Sequence, residues 1–195
     1  MVDVKDKIQD FLIFENNDDF YLLQVLQRKK ENPQLGSNSR VIKNYFISSK
    51  EYLNDKYDEI KKLCEVFNAR AMLRLNKRSY EKVSFKTLQN IANSMSNKEY
   101  SFIRNSYVRA CGLGHNDKNK KWIIDIDGEI TNEYKSSVID VIDKSRPDDD
   151  NKVIIELETK NGIHLITKPF DLREFKEKFS DIDIHKDNPI NLYIP

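Results

Sequence analysis

Residues 122–127 read Trp-Ile-Ile-Asp-Ile-Asp (WIIDID), and residues 161–167 read Asn-Gly-Ile-His-Leu-Ile-Thr (NGIHLIT). The first stretch is an apolar run that ends in two acids, which predicts a buried strand with Asp125 and Asp127 on one face. The second stretch follows another apolar run, and Asn-Gly is the strongest short signal for a hairpin turn. We therefore predict a hairpin whose second strand contains His164.

Helix and strand patterns alternate in a definite order around these two stretches. A helix is predicted over 133–144 and a short helix over 172–179. Short strands over 182–184 and 190–194 are predicted to close this half of the chain. The half therefore runs β-α-β-β-α-β, which is the split βαβ or ferredoxin-like order.

The first half is predicted to be an αβ module. Its expected elements are helices over 1–14, 48–67, 83–95 and 100–110, and strands over 20–28, 40–47 and 69–75. The segment 20–28 also fits a helix, but turn formers and a strong strand pattern follow it and favour a hairpin with a basic tip. Four residues of the second helix are expected to face inward: Tyr52, Ile60, Leu63 and Phe67.

No linker rich in Gly, Ser or Pro separates the two halves. We therefore expect one α+β domain over 1–195, with an N-terminal αβ module at 1–115. The second half, 116–195, holds the Asp-x-Asp pair and the histidine. A chain of 195 residues is long enough to bury a core without disulfides.

The net charge is only +1, from 33 basic and 32 acidic residues, so the whole chain exerts no attraction on nucleic acid. The charges are nevertheless segregated along the chain. Residues 28–44 hold five bases against one acid, and residues 68–88 hold six bases against one acid. Residues 117–150 hold ten acids against six bases. A basic half beside an acidic half is what a site for phosphate and metal needs.

Composition also favours a cytoplasmic location. No apolar run approaches the roughly 18 residues of a membrane span, and the first ten residues are too charged for a signal peptide. The two cysteines, Cys64 and Cys111, form no Cys-x-x-Cys motif and are expected to be reduced thiols. We therefore expect no membrane partner.

Asp125 and Asp127 repel each other at the end of an apolar strand, and a hard cation such as Mg²⁺ or Mn²⁺ would neutralise them. The alternative is a pair of solvated acids at a strand end. His164 could contact a phosphate, or it could be an ordinary hydrogen-bonded side chain.

Two further clusters could contribute to chemistry. In the stretch DIDIH, Asp181, Asp183 or His185 could complete a metal site, or the stretch could be a polar edge strand. Three bases follow the strand over 69–75 and could clamp phosphates, or they could form a solvated turn. They are Arg74, Lys77 and Arg78.

Residues 123–131 (IIDIDGEIT) resemble the first motif of haloacid-dehalogenase-type phosphatases. Glu129 stands where that motif has threonine, and too few residues follow Asp127 for the remaining βα units of that family. A second family resemblance fits the order of the motifs better.

The chain resembles the archaeo-eukaryotic primase superfamily, the primase–polymerases. That pattern has an apolar strand ending in Asp-x-Asp, a histidine after a small residue on a later strand, and a third acid on a further strand. The corresponding stretches are 122–127, 161–167 and 181–185, and the resemblance covers roughly 20–194. It implies an RRM/ferredoxin-like βαββαβ catalytic half packed with an N-terminal αβ module. Small stand-alone cores of this kind occur in phages, and the Lys/Asn/Ile-rich composition is typical of a low-GC genome.

The resemblance implies a DNA primase/polymerase-like nucleotidyltransferase that joins nucleoside triphosphates on a single-stranded DNA template. Asp125, Asp127 and Asp183 would bind Mg²⁺ or Mn²⁺, with Asp181 and Asp187 as alternatives for the third acid. Further implied partners are a helicase or an accessory helical subunit.

The resemblance also implies that His164 contacts the incoming triphosphate. The three bases Arg74, Lys77 and Arg78 would bind template or triphosphate oxygens. The alternative function is a non-catalytic nucleic-acid- or partner-binding module on the same fold, and the third acid discriminates between the two.

Overall fold

The computed structural model describes residues 1–36, 38–113, 119–128, 130–149 and 151–195, which form an α+β structure with two antiparallel sheets. The strands are β1 (Val2–Asp3), β2 (Asp19–Gln27), β3 (Arg40–Ile47), β4 (Arg70–Arg74), β5 (Arg78–Ser79), β6 (Trp122–Asp127), β7 (Val153–Glu158), β8 (Gly162–Thr167), β9 (Asp183–His185) and β10 (Pro189–Ile194). The helices are α1 (Lys5–Gln9), α2 (Lys50–Phe67), α3 (Tyr80–Ser96), α4 (Ser106–Gly112), α5 (Asn132–Lys144) and α6 (Leu172–Lys178), and a 3₁₀ helix spans Tyr100–Asn105.

The first sheet has the order β1-β10-β4-β2-β3, and β5 pairs with the start of β2. The central strand β2 has buried side chains on both of its faces, as a strand that is covered on both sides does. Helix α2 begins at the Ser49 cap, whose hydroxyl accepts a hydrogen bond from the Tyr52 amide. It packs against the sheet through Leu53, Tyr57, Ile60 and Cys64.

The inward face of α2 differs from the prediction at two positions. Ile60 is buried as expected, but Tyr52 and Leu63 are only partly buried and Phe67 is 37% exposed. The helix ends at Phe67 because Asn68 adopts a left-handed conformation, with φ 45°. Phe67 is therefore the last helical residue, and it lies outside the set of described residues that form the core.

The second sheet has the order β7-β8-β6-β9, with every neighbouring pair antiparallel. Helices α5 and α6 cover one face and enclose a core with it. That core includes Ile124, Ile126, Val138, Ile142, Leu165 and Phe175. Among the described residues, no strand of this sheet has the parallel neighbour that a phosphatase-type βα repeat would supply.

The opposite face of the second sheet meets the first sheet. Ile123, Leu157 and Ile166 belong to the same core cluster as Leu23 and Leu73 of the first sheet. The second sheet therefore lies between its own helices and the first core. At the β6 end of this face the side chains are polar, beginning with Asp125 and His164.

The C-terminal strand is in a different place from the one expected. It was predicted to close the second half, but β10 lies between β1 and β4 in the first sheet, with Ile190 opposite Leu73. Its apolar residues Ile190 and Leu192 are fully buried there, and this burial favours its place in the first sheet. The helix expected over 1–14 is likewise reduced to α1, because Val2 and Asp3 pair with β10.

The other predicted strands and helices are confirmed to within a few residues at each end, except that the helix expected over 100–110 is a 3₁₀ helix at Tyr100–Asn105 followed by α4. Both cysteines are free and buried. Among the described residues, no helix is long and apolar enough to cross a membrane.

Candidate functional site

Strand register brings the two most polar motifs together. Asp125 on β6 lies directly opposite His164 on β8 and directly opposite Asp183 on β9. Directly opposed residues of antiparallel strands have their side chains on the same face, about 5 Å apart at Cβ. The three side chains therefore form one cluster across the sheet.

The alternation of β6 determines which face this cluster occupies. Ile124 and Ile126 point to the core under α5 and α6, so Asp125 and Asp127 point the other way. This is the face on which Ile123 contacts the first core. The acids thus lie just beyond the apolar contact between the two sheets.

Two imidazoles hold Asp125. His164 Nε2 lies 3.1 Å from Asp125 Oδ1, and His185 Nε2 lies 3.8 Å from Asp125 Oδ2. The hydrogen bond from His164 is the main reason that the pKa of Asp125 lies below its usual value, although burial opposes it. The side chain of Asp125 remains 26% exposed, so a ligand can reach it.

His185 joins the site through the strand that it ends. It follows Asp183 by two residues and therefore shares its face, and its Nδ1 lies 3.0 Å from Asn188 Nδ2. The sequence indicated it only as one of three candidates for a metal site. The alternation Asp-Ile-Asp-Ile-His was the signal for its position.

A cavity of about 620 Å³ opens at the end of β6. Its lining residues are Asp125, Ile126, Asp127, Ile130, Thr131, Tyr134, Asp181, Ile182 and Asp183. Four of these are acids and none of these lining residues is basic, so the cavity attracts cations. His164 does not line it. Gly128 follows β6 with φ 96°, and Glu129 lies outside the described residues.

The acids fit a hard cation by their chemistry. Asp125, Asp127 and Asp183 offer the carboxylate oxygens that Mg²⁺ and Mn²⁺ prefer. Within the described ranges, however, no three His, Cys, Asp or Glu side chains are already arranged as a ligand set. Asp125 faces imidazoles and Asp127 is exposed, so the donors are present without a preformed cage.

The three bases predicted to clamp phosphates are engaged inside the chain. Arg78 is fully buried, and its guanidinium bonds the Cys111 carbonyl at 2.8 Å and Asp187 Oδ2 at 2.6 Å. Arg74 lies 3.4 Å from the same carboxylate oxygen. Lys77 bonds Asp19 at 2.9 Å and contacts Glu15. Arg78 therefore does not form the solvent-facing clamp expected from the sequence.

These contacts also separate Asp187 from the candidate site, since both arginines bind it. Asn76 completes the cluster: its amide nitrogen donates to the carbonyls of Lys121 and Lys186, and its oxygen accepts from the Lys121 amide at 2.6 Å. This junction ties the end of β4 to the start of β6 and to the chain after β9. No sequence signal indicated it.

Gly162 is expected to be irreplaceable beside the site. It lies opposite Asp127, and a Cβ there would overlap the Ile126 carbonyl oxygen and lie 3.0 Å from the Asp127 Cα. Gly162→Ala should therefore lower the free energy of unfolding by about 1–3 kcal/mol, measured by urea denaturation. Gly112→Ala is the control, because no atom lies within 4 Å of its added Cβ. Equal stability of the two variants would contradict the close approach.

The geometry of the site is the evidence for its chemistry. The observations that bear on it are the register of β6, β8 and β9, the hydrogen bond between His164 and Asp125, and the acidic cavity. No family model matches the chain, and no curated protein or solved structure matches it either.

Proposed function

We propose that the chain is a metal-dependent nucleotidyltransferase of the primase–polymerase type, which adds nucleotides on a single-stranded DNA template. The observation that supports it most directly is the register that sets Asp125 opposite both His164 and Asp183. The resemblance in sequence uses the same three strands in the same order. The strand order β7-β8-β6-β9, antiparallel throughout, also agrees with the RRM/ferredoxin-like arrangement.

Asp125, Asp127 and Asp183 are the residues that would hold Mg²⁺ or Mn²⁺. Bound there, the ions would lower the pKa of the attacking hydroxyl and neutralise the charge of the leaving pyrophosphate. Among the three candidates for the third acid, Asp183 has the strand position that faces Asp125. Asp181 lines the cavity from the turn before β9, and Asp187 is bound by two arginines.

The remaining work of such a site is positioning and electrostatic stabilisation. His164 is held in place by its hydrogen bond to Asp125, and its side chain is only 12% exposed. Because its Nε2 bonds Asp125, Nδ1 is the nitrogen that would donate to a triphosphate oxygen. The cavity at the end of β6, which Asp125 lines, has room for a nucleotide, since pockets of roughly 300–1,000 Å³ bind small molecules.

The second candidate function is a non-catalytic nucleic-acid- or partner-binding module. It is favoured by the contacts of Asp125, whose two oxygens each face an imidazole. In that case the cluster is a self-contained polar network, and the acids need no ion.

A primer-extension and primer-synthesis assay separates the two functions. The chain is incubated with single-stranded DNA, labelled nucleoside or deoxynucleoside triphosphates, and Mg²⁺ or Mn²⁺. Template-dependent labelled products that disappear with a chelator would support the transferase. Binding of DNA without any product, under both metals and both sugars, would favour the binding module.

His164→Ala should weaken triphosphate binding by about 5- to 150-fold, which corresponds to roughly 1–3 kcal/mol for a hydrogen bond to a charged group. The reason is the loss of the oriented donor beside Asp125. The measurement is calorimetric titration with a non-hydrolysable triphosphate. His185→Ala is the comparison, because His185 lies farther from Asp125. Unchanged affinity of the His164 variant would return that residue to an ordinary structural role.

A further inference from the structure

We propose that the tip of the β2–β3 hairpin binds the sugar–phosphate backbone of a single-stranded nucleic acid. The binding residues are Arg28, Lys29, Lys30 and Arg40, which we call the basic tip. The inference rests on the proposed function for its choice of a single-stranded partner. It moves the template contact away from the bases at 74–78, where the sequence had placed it.

The charges of the basic tip are uncompensated. None of its four side chains forms an ion pair with a described residue, whereas Arg74, Lys77 and Arg78 all do. Glu31 follows Lys30 directly, but both of its carboxylate oxygens are bound by the Arg70 guanidinium. Four positive charges therefore remain for a polyanion, in a chain that is almost neutral overall.

The first part of the basic tip is also bonded to the end of α2. Asn32 is 2% exposed, and its amide donates to the carbonyls of Arg28 and Asn68 at 3.1 and 3.0 Å. The Gln27 amide donates to the Phe67 carbonyl at 2.5 Å. These bonds fasten the hairpin to the end of α2, so little conformational entropy is lost when a ligand binds.

A partly exposed aromatic ring lies at the same end of the molecule. Phe67 ends α2, its carbonyl accepts the bond from Gln27, and its side chain is 37% exposed. Single-strand binding sites combine cations along the backbone with aromatic rings on which bases stack. Phe67 provides the ring and the basic tip provides the cations, which favours a nucleic acid over an anionic membrane.

The basic tip lies away from the acidic cavity. Arg70, which binds Glu31 of the tip, begins β4, and Arg74, which binds Asp187 at the junction, ends it. At about 3.3 Å per residue these two arginines are separated by roughly 13 Å along the strand. The basic tip and the cavity therefore share no residue, and replacing the tip leaves the cavity intact.

The test is a binding series with a long fluorescent oligothymidylate of about sixteen nucleotides, from low to moderate salt. The basic-tip variant replaces Arg28, Lys29, Lys30 and Arg40 with Ala. We expect the slope of log K against log salt for the long oligonucleotide to flatten by about two to three units, since each phosphate contact contributes about 0.7. Binding of Mn²⁺ should not change.

The matched control removes four exposed cations that lie elsewhere: Lys7, Lys62, Lys82 and Arg104, each replaced with Ala. It has the same net charge as the basic-tip variant, so it should retain the wild-type slope. A separate variant, Phe67→Leu, should lower affinity about fivefold or more without changing the slope. Its control is Phe85→Leu, which removes a 66% exposed ring from α3.

The outcomes distinguish the basic tip from the proposed transferase activity. Equal salt slopes for the basic-tip variant and the wild type would overturn the proposal that the tip binds single-stranded nucleic acid, even if primers are synthesised. Wild-type binding to phosphatidylserine vesicles but not to the oligonucleotide would also overturn it. Tip-dependent binding without any primer synthesis would leave the tip in place and remove the proposed transferase activity.

Discussion

Asp125→Asn combined with Asp127→Asn should reduce primer synthesis by on the order of 10³-fold or more, which is the scale of loss when a charge-stabilising group of an active site is removed. Both carboxylates lie on one face of β6 and line the same cavity. The same variant should lose any stabilisation that Mn²⁺ gives to the wild type. The measurements are labelled-product formation and melting temperature with and without the ion.

The control for this variant is Asp55→Asn combined with Asp58→Asn, two exposed acids of α2. The control changes the net charge equally but leaves the cavity intact, so it should retain synthesis and the metal response. An equal response to Mn²⁺ in the wild type and the site variant would contradict the metal site. Loss of synthesis in the control as well would point to a general charge effect.

The third acid is tested by the same assay with single variants. Asp183→Asn should lose most of the synthesis, because Asp183 is the acid opposite Asp125 in the sheet. Asp181→Asn should retain more activity, since Asp181 lies in the turn before β9. The reverse result would move the third ligand from the strand to the turn.

The positions of the strands that surround the site could be predicted from the sequence. Apolar alternation and the Asn-Gly turn are local signals, and they placed β6, β7 and β8 to within about a residue at each end. The pairing of Asp125 with His164 and Asp183 then depended on which strands become neighbours. That pairing is decided by contacts distant in sequence, so only the motif order of a known family suggested it.

Other features could not be predicted from local patterns. The strand β10 is as apolar as its neighbours, and nothing in its sequence distinguishes the first sheet from the second. The burial of Arg78 depends on Asp187 and on the Cys111 carbonyl, which lie far from it along the chain. A run of basic residues is usually solvated, so the ordinary expectation for Arg78 was exposure.

Arg78→Met should destabilise the protein by about 3 kcal/mol or more, because it leaves two backbone carbonyls without their donor and removes one of the two arginines that neutralise Asp187. Arg78 is fully buried and bonds Asp187 and two backbone carbonyls, those of Cys111 and Asn76. For a chain of this length the melting temperature should fall by about 10 °C. Arg104→Met, an exposed arginine, is the control and should change little.

If Arg78→Met does not fold, Arg78→Lys keeps the charge but loses the second and third hydrogen bonds, and it should still melt below the wild type. A nucleic-acid contact would behave in the opposite way, since lysine also binds phosphate: stability would be unchanged and single-strand affinity would fall only slightly. The outcome thus decides whether Arg78 stabilises the contact between the two sheets or binds nucleic acid. Since the junction holds the start of β6 through Asn76, a loosened junction should also reduce primer synthesis without altering the salt slope of DNA binding.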